Sequence, residues 1–162
     1  EEIAVMLERT EDACRQLVSR ATRKLGTSEP PPLDHADNHQ MLLFSFLQAL
    51  QQADIPALQR ILSQEVSLYS DGGGEVSSAR RPLFGFHRVS RFCLGLARKS
   101  DPSDRAELVS LNGNLAVLIW RHDHPFTLIS LTCHNDTIHE IQMIRSPRKL
   151  RKVCAVLASS AP

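Results

Sequence analysis

Four apolar segments separated by short turn sequences occupy the second half of the chain, and this pattern constrains the fold more than any other feature. The segments cover 106–111, 115–122, 126–134 and 137–144. Asn112-Gly113 lies between two of them and is a strong hairpin signal, because both residue types accept the positive φ angles of a two-residue turn. Turns near 123–125 and at Asn135-Asp136 are similarly short. The pattern therefore predicts an antiparallel meander of four strands.

The residues around the meander indicate helices and one earlier strand. Apolar residues recur at helical spacing in 39–53, 56–62 and 87–99, and a further short helix is predicted at 148–157. A strand at 65–70 leads into Asp71-Gly72-Gly73-Gly74, after which a second extended segment is predicted at 75–79. Helices first and a meander after them imply an α+β domain in which a curled sheet lies over a helical layer.

The first part of the chain is a short helical region followed by a stiff linker. Apolar residues repeat at helical spacing between Ile3 and Leu7, and Thr10 is a plausible N-cap for a second helix that Gly26 ends. Three consecutive prolines in 26–37 favour extended polyproline geometry. We therefore expect three segments, namely helices at 1–25, a linker at 26–37 and an independent domain at 38–162.

Composition excludes several classes of protein. Among 162 residues, 19 Lys and Arg oppose 18 Asp and Glu, and the 42% apolar content is within the globular range. The longest apolar run, 115–120, is far shorter than the roughly 18 residues that cross a bilayer. Four cysteines lie far apart without a zinc-ligand spacing, which is typical of a reducing compartment, so we expect a cytoplasmic protein. No signal-peptide pattern precedes the first helix, and we expect the chain to be a fragment.

Two sequences near the start resemble a known DNA-binding motif. Glu1-Glu-Ile-Ala-Val-Met-Leu and Cys14-Arg-Gln-Leu-Val-Ser-Arg-Ala resemble the end of region four in extracytoplasmic-function sigma factors of bacterial RNA polymerase. The resemblance implies a helix-turn-helix whose second helix enters the major groove. The residues expected to contact the upstream promoter element are Arg15, Gln16, Ser19, Arg20 and Arg23. The alternative is an ordinary helical hairpin with a solvated basic face.

Three later motifs resemble the C-terminal extension of one sigma-factor subfamily. They are Tyr69-Ser-Asp-Gly-Gly-Gly-Glu-Val, Arg81-Pro-Leu-Phe-Gly and Ser146-Pro-Arg-Lys-Leu. That extension is similar to SnoaL-type polyketide cyclases, with the cone-shaped α+β fold of nuclear transport factor two and ketosteroid isomerase. The family's closing motif is usually Asn-Pro-Asp-Lys-Leu, so Ser146 and Arg148 depart from it and the second change reverses a charge.

The resemblance implies a promoter-specificity subunit whose extension regulates it in cis. The implied partners are the RNA polymerase core, promoter DNA and sigma region two, which the chain lacks, and no cofactor or metal is implied. We expect the extension to dock through two groups of residues, Asp71, Gly72, Gly73 and Gly74 and then Ser146, Pro147, Arg148, Lys149 and Leu150. The glycines alternatively serve only to bend the sheet. The basic cluster at 145–152 is expected to take part in assembly.

Two alternative functions follow from the same fold. An enzyme or small-molecule sensor needs a pocket with an ionisable group, and the candidates to line it are Tyr69, His87, Trp120 and His134. The sequence brings no base and donor together, so we expect no enzymatic activity. His122-Asp-His124 has metal-ligand residue types, but no third ligand follows at a recognisable spacing and a solvent-exposed turn is favoured. The other alternative is a homodimer.

Overall fold

A computed structural model describes residues 10–25 and 33–159, in two units whose boundary lies between Pro32 and Leu33. Each unit is described by itself. The helix expected between Ile3 and Leu7, the Glu1-Glu-Ile-Ala sequence and the proline run lie outside the described residues. In the first unit, helix α1 runs over Glu11–Leu25. The Ala13 amide donates to Thr10 Oγ1 at 3.2 Å, which confirms Thr10 as the cap.

The described part of the second unit, residues 33–159, contains four helices and six strands. Their bounds are α2 Leu33–Gln52, α3 Ile55–Ile61, β1 Leu62–Asp71, β2 Leu83–Phe84, α4 Phe86–Ala97, β3 Arg105–Leu111, β4 Asn114–Arg121, β5 His124–His134, β6 Thr137–Ile144 and α5 Pro147–Ser159. Helix α2 begins six residues before the expected start at His39, so 33–37 are helical although the sequence suggested a linker there. Helix α3 is capped by Asp54, whose carboxylate accepts from the Ala57 amide at 2.9 Å.

The strands form one sheet in the order β2-β1-β6-β5-β4-β3. Strands β3 to β6 form the expected antiparallel meander. Strand β1 pairs in parallel with β6, placing Tyr69 opposite Gln142, and this pairing was not expected. Register shifts within β1, β4 and β5 curl the sheet. The combination is the α+β architecture that the sequence predicts.

The prediction of an extended segment at 75–79 is wrong. The amides of Glu75 and Val76 both donate to the Gly72 carbonyl, at 3.1 and 3.2 Å, so the chain turns back on itself there. The strand that pairs with β1 lies later, where Leu83 is opposite Leu68. The glycine run therefore ends β1 and starts a loop.

All three meander turns consist of two residues with positive φ. The angles are 52° and 81° at Asn112-Gly113, 48° and 59° at His122-Asp123, and 47° and 58° at Asn135-Asp136. The second turn is earlier than expected, so Pro125 lies in β5 beside an irregularity in the pairing. These short turns fix the register of each hairpin.

Alternating side chains of the sheet enter two separate apolar clusters. Val117 lies in the cluster beneath helices α2, α3 and α4, on the face that we call concave. Ala116 and Leu118 lie in the other cluster, where α5 packs through Leu150 on the convex face. Helices therefore cover both faces of the sheet. Helices α2, α3 and α4 pack on the concave face, and the described part of α5 packs on the convex face over β3, β4 and β5.

Candidate docking site

The two sequence motifs expected to dock lie against each other where β1 and β6 end. The Asp71 carbonyl accepts from the amides of Arg145 and Ser146, at 2.7 and 3.1 Å. Asp71 is opposite Ile144 in the parallel pair, so the chain leaves both strands at the same edge. We call residues 71–79 and 144–150 together the junction.

The Asp71 side chain connects both parts of the junction. One carboxylate oxygen accepts from the Gly73 amide at 2.8 Å, and the other accepts from Lys149 Nζ at 2.5 Å. The hydrogen bond from Lys149, followed by that from Gly73, lowers the pKa of Asp71 below its usual value. Both side chains of the ion pair are about half exposed, so the pair orients the loop and adds about 1 kcal/mol at most to stability.

The three glycines of the junction meet different requirements. A Cβ on Gly72 would overlap the Val76 carbonyl oxygen and lie 2.7 Å from Ser78 Oγ. Gly73 has a φ of +63° and faces the Ser146 side chain, which a Cβ would overlap. Gly74 has a φ of +77° with open space around the Cβ position. Close packing therefore requires the first two glycines, whereas the third needs only its backbone angle and leaves its surface free.

The closing motif begins helix α5. Ser146 is 1% exposed, and its carbonyl accepts from the Leu150 amide at 2.9 Å, immediately before Pro147 at the first helical position. Leu150 is fully buried in the convex cluster. Of the nine residues expected to dock, the most exposed are Gly73, Gly74, Arg148 and Lys149. Asp71 and Pro147 are half-buried, and the other three are buried.

The side chains of Arg145, Phe126 and Arg121 form a stack that supports the loop at 71–79. Sequence reasoning did not predict this stack. Arg145 Nη1 donates to the Ser77 carbonyl at 2.5 Å, and its guanidinium lies 4.9 Å from the Phe126 ring centre. The Arg121 guanidinium lies 3.9 Å from the same ring. Burial, together with the nearby charge of Arg121, lowers the pKa of Arg145. The sequence marked Arg145 only as part of a basic cluster, and no local pattern identifies Phe126.

Asp104 fixes the far end of this stack. Its two oxygens accept from Arg121 Nε and Nη2 at 2.6 and 2.7 Å, and Arg121 Nη2 also donates to the Lys99 carbonyl at 3.1 Å. The hydrogen bonds from Arg121 lower the pKa of Asp104. Because both side chains are mostly buried and paired through two bonds, this ion pair is stronger than the exposed one at Asp71.

The side chains expected to line a pocket lie at four different places. Tyr69 is exposed on the convex face beside Phe84, with ring centres 6.5 Å apart. His87 is exposed on α4. Trp120 packs in the convex cluster and donates to Glu107 Oε2 at 2.8 Å. His134 is exposed at the end of β5. The structure does not bring them together.

Apolar side chains fill the interior of the curled sheet. Phe46, Leu43, Leu58 and others of the concave cluster are fully buried. His39 is buried there, with Nε2 3.1 Å from the Leu131 carbonyl. Burial raises the pKa of the Cys93 thiol to about 12. Within residues 10–25 and 33–159, no group of three His, Cys, Asp or Glu side chains is arranged to hold a metal ion.

Helix α1 presents four of the five residues expected to contact DNA. Arg15, Gln16, Ser19 and Arg20 are exposed, while the side chain of Arg23 lies outside those that the structure describes. Arg15 donates to Glu11 at 3.2 Å, one turn earlier. Leu17 is 46% exposed on the same helix. None of the described helices is long and apolar enough to cross a membrane.

The second unit has the fold of the nuclear transport factor two-like proteins. An NTF2-like protein from Burkholderia xenovorans has a TM-score of 0.52 at 13% identity, covering 72% of this chain and 95% of that one. A steroid delta-isomerase from Pseudomonas aeruginosa has a TM-score of 0.50 at 15% identity, covering 75% and 95%. At such identities the likeness concerns the fold alone. No family model matches the chain.

The chain is homologous to SigJ, an extracytoplasmic-function RNA polymerase sigma factor of Mycobacterium tuberculosis. The two are 31% identical over 118 residues, which are 70% of this chain and 38% of SigJ. The crystal structure of SigJ has a TM-score of 0.61 at 24% identity, covering 91% of this chain and 53% of that one. The resemblance to sigma factors seen in the motifs is thereby confirmed, and the chain spans about two fifths of its relative's sequence.

Proposed function

We propose that this chain carries the promoter-contacting helix and the regulatory extension of an extracytoplasmic-function sigma factor. It acts in the cytoplasm with the RNA polymerase core and promoter DNA, and the extension modulates the sigma regions in cis. The observation that carries this proposal is the homology with SigJ. The extension is the NTF2-like unit, and region two is the part of the sigma factor on which it docks.

Helix α1 contacts the upstream promoter element. Its exposed Arg15, Gln16 and Arg20 are residue types that hydrogen-bond base edges and phosphates in the major groove. Each base contact contributes about 1–3 kcal/mol to discrimination. Gln16→Ala or Arg20→Ala, in the sigma factor that contains this sequence, should therefore lower transcription from its promoter about tenfold in vitro.

Arg88→Ala is the control for those variants, because Arg88 is exposed on α4 in the NTF2-like unit. Transcription that falls equally in all three variants, or in none, would contradict a DNA-contacting role for α1. Filter binding to promoter DNA separates loss of DNA affinity from loss of polymerase binding.

The junction docks through its exposed surface at Gly74 and Arg148. Arg148 has no hydrogen bond or ion pair to another side chain in the described part of the chain, so its charge is available to a partner. Arg148→Asp, which restores the family's usual charge, should change transcript yield about fivefold, since coupling energies between sites are typically 1–3 kcal/mol. Arg91→Asp makes the same charge change on the helix that packs against the concave face, and should have no effect. Equal transcript yields from Arg148→Asp and Arg91→Asp would count against docking through Arg148 on α5.

An enzyme or sensor function is less well supported. Such a site needs an internal pocket with an ionisable group, whereas apolar side chains fill the described interior.

A homodimer stays a prediction, and sedimentation velocity of the chain over a range of concentrations tests it.

A further inference from the structure

A surface cleft of about 210 Å³ lies beside the junction. Its floor is formed where β1 and β6 pair, by Tyr69, Gln142 and Ile144. The loop that carries Arg80 and Arg81 forms its wall. Ile144 belongs to the convex cluster, and Tyr69 points to the same face because its neighbour Leu68 is buried on the concave one. The cleft is therefore on the part of the convex face that lies over β1 and β6.

The size of the cleft indicates what enters it. Pockets that bind small molecules are typically about 300–1,000 Å³ and enclose most of the ligand. This cleft is smaller and open, so it has room for one apolar side chain whose backbone stays outside. A polypeptide segment binds in this way, because it can insert one side chain while its backbone stays on the surface.

The charges around the cleft indicate the composition of that segment. Asp71 at its rim is already bound to Lys149 and the Gly73 amide. Arg80 and Arg81 are exposed, and none of the carboxylates in the described residues lies within ion-pair distance of either. Glu140 lies two residues before Gln142 on β6, and its carboxylate accepts a hydrogen bond from the Gln142 side-chain amide at 2.7 Å. The wall of the cleft is thus cationic. The charges of Arg80 and Arg81, which are unpaired within the described residues, are complementary to carboxylates of a binding partner.

The side chains at this place are those that dominate protein interfaces. Tyr69 is 42% exposed and Phe84 is 57% exposed, and their edge-to-face contact holds both rings in place. Aromatic residues and arginine are enriched at the centres of interfaces, where they carry most of the binding energy. We propose that this cleft binds an acidic polypeptide segment of a protein partner. One apolar side chain of the segment enters the cleft, and its carboxylates pair with Arg80 and Arg81. This proposal does not depend on the sigma-factor function.

Peptide selection followed by titration tests the proposal. A displayed library of random 12-residue peptides is selected on the immobilised 162-residue chain, and the consensus peptide is synthesised with a fluorescein label. We expect a consensus in which Asp or Glu residues flank one apolar residue. In fluorescence anisotropy, Arg80→Glu/Arg81→Glu should weaken binding of that peptide about tenfold or more. Arg88→Glu/Arg91→Glu is the matched control, because it makes the same charge change at two exposed residues of α4, and it should leave affinity unchanged. Melting curves verify that both variants fold.

Three results would overturn the proposal. The first is a selection that enriches no acidic consensus. The second is a consensus peptide that binds both double variants equally well. The third concerns single-stranded nucleic acid, which also stacks on exposed aromatic rings between cations. A fluorescein-labelled oligo-dT of 12 nucleotides that binds more tightly than the peptide, and loses affinity in Arg80→Glu/Arg81→Glu, would assign the cleft to nucleic acid instead.

Discussion

At the scale of single residues, Gly73 shows what a local sequence pattern leaves out. Three glycines after a strand predict an unusual backbone, and the positive φ angles of Gly73 and Gly74 agree with that. The packing reason is not local, because the atoms that exclude a side chain at Gly73 belong to Ser146. The same contact gives Ser146, which departs from the family's usual Asn, a buried position against the glycine loop.

Gly73→Ala should therefore destabilise the chain more than Gly74→Ala. Both substitutions force a side chain into a positive φ, which costs about 1 kcal/mol. Only the first also overlaps a buried neighbour, so we expect its total cost to be about 2–3 kcal/mol. Urea unfolding of the two variants measures the difference. Equal losses would show that the Ser146 contact does not restrict this position.

The Asp104 carboxylate should make stability depend on pH. Its pKa in the folded protein is lowered by Arg121, so as the pH falls the unfolded chain binds a proton before the folded one does. The stabilisation from Asp104 is then complete above about pH 5 and is lost as the pH falls through the folded-state pKa. Asp104→Asn should be less stable than the unmodified chain at pH 7, with the difference narrowing towards pH 3. Urea unfolding at several pH values measures this, and a constant difference would refute it.

At the scale of elements, local signals predicted the meander but not all of its surroundings. Its turns contain residues that accept positive φ, and each hairpin follows from neighbouring segments of sequence. The parallel pairing of β1 with β6 joins strands about 70 residues apart, and no local pattern encodes it. The early start of α2 was missed because Leu33-Asp-His-Ala-Asp follows a proline run and has little apolar periodicity.

Helix α5 should stabilise the sheet through one buried residue. Leu150 is fully buried in the convex cluster, so Leu150→Ala should lower the free energy of unfolding by about 2–4 kcal/mol. Val156→Ala is the control on the same helix, since Val156 is 63% exposed, and should change stability by less than about 0.5 kcal/mol. If the two substitutions cost the same, α5 does not pack on the sheet in solution as described.

At the scale of the whole molecule, the sequence predicted the fold class and the two motifs that form the junction. The candidate pocket residues Tyr69, His87, Trp120 and His134 were named by residue type, and the structure places them apart, because the face on which a strand residue lies depends on a register that residue type does not encode. Arg81 begins the Arg81-Pro-Leu-Phe-Gly motif and Arg80 precedes it, but no local pattern indicates that these two cations line a cleft. Contacts such as that of Arg145 with Phe126 depend on tertiary packing and have no local signal.

The central claim is that the NTF2-like unit modulates a sigma factor to which it is joined. The most direct measurement is in vitro transcription by the sigma factor that contains this sequence, compared with the same protein ending at Pro32. We expect the truncation to change transcript yield about fivefold or more at equal occupancy of the polymerase core, as a coupling free energy of 1–3 kcal/mol requires. Equal yields from the two proteins, with both bound to the core, would contradict regulation in cis.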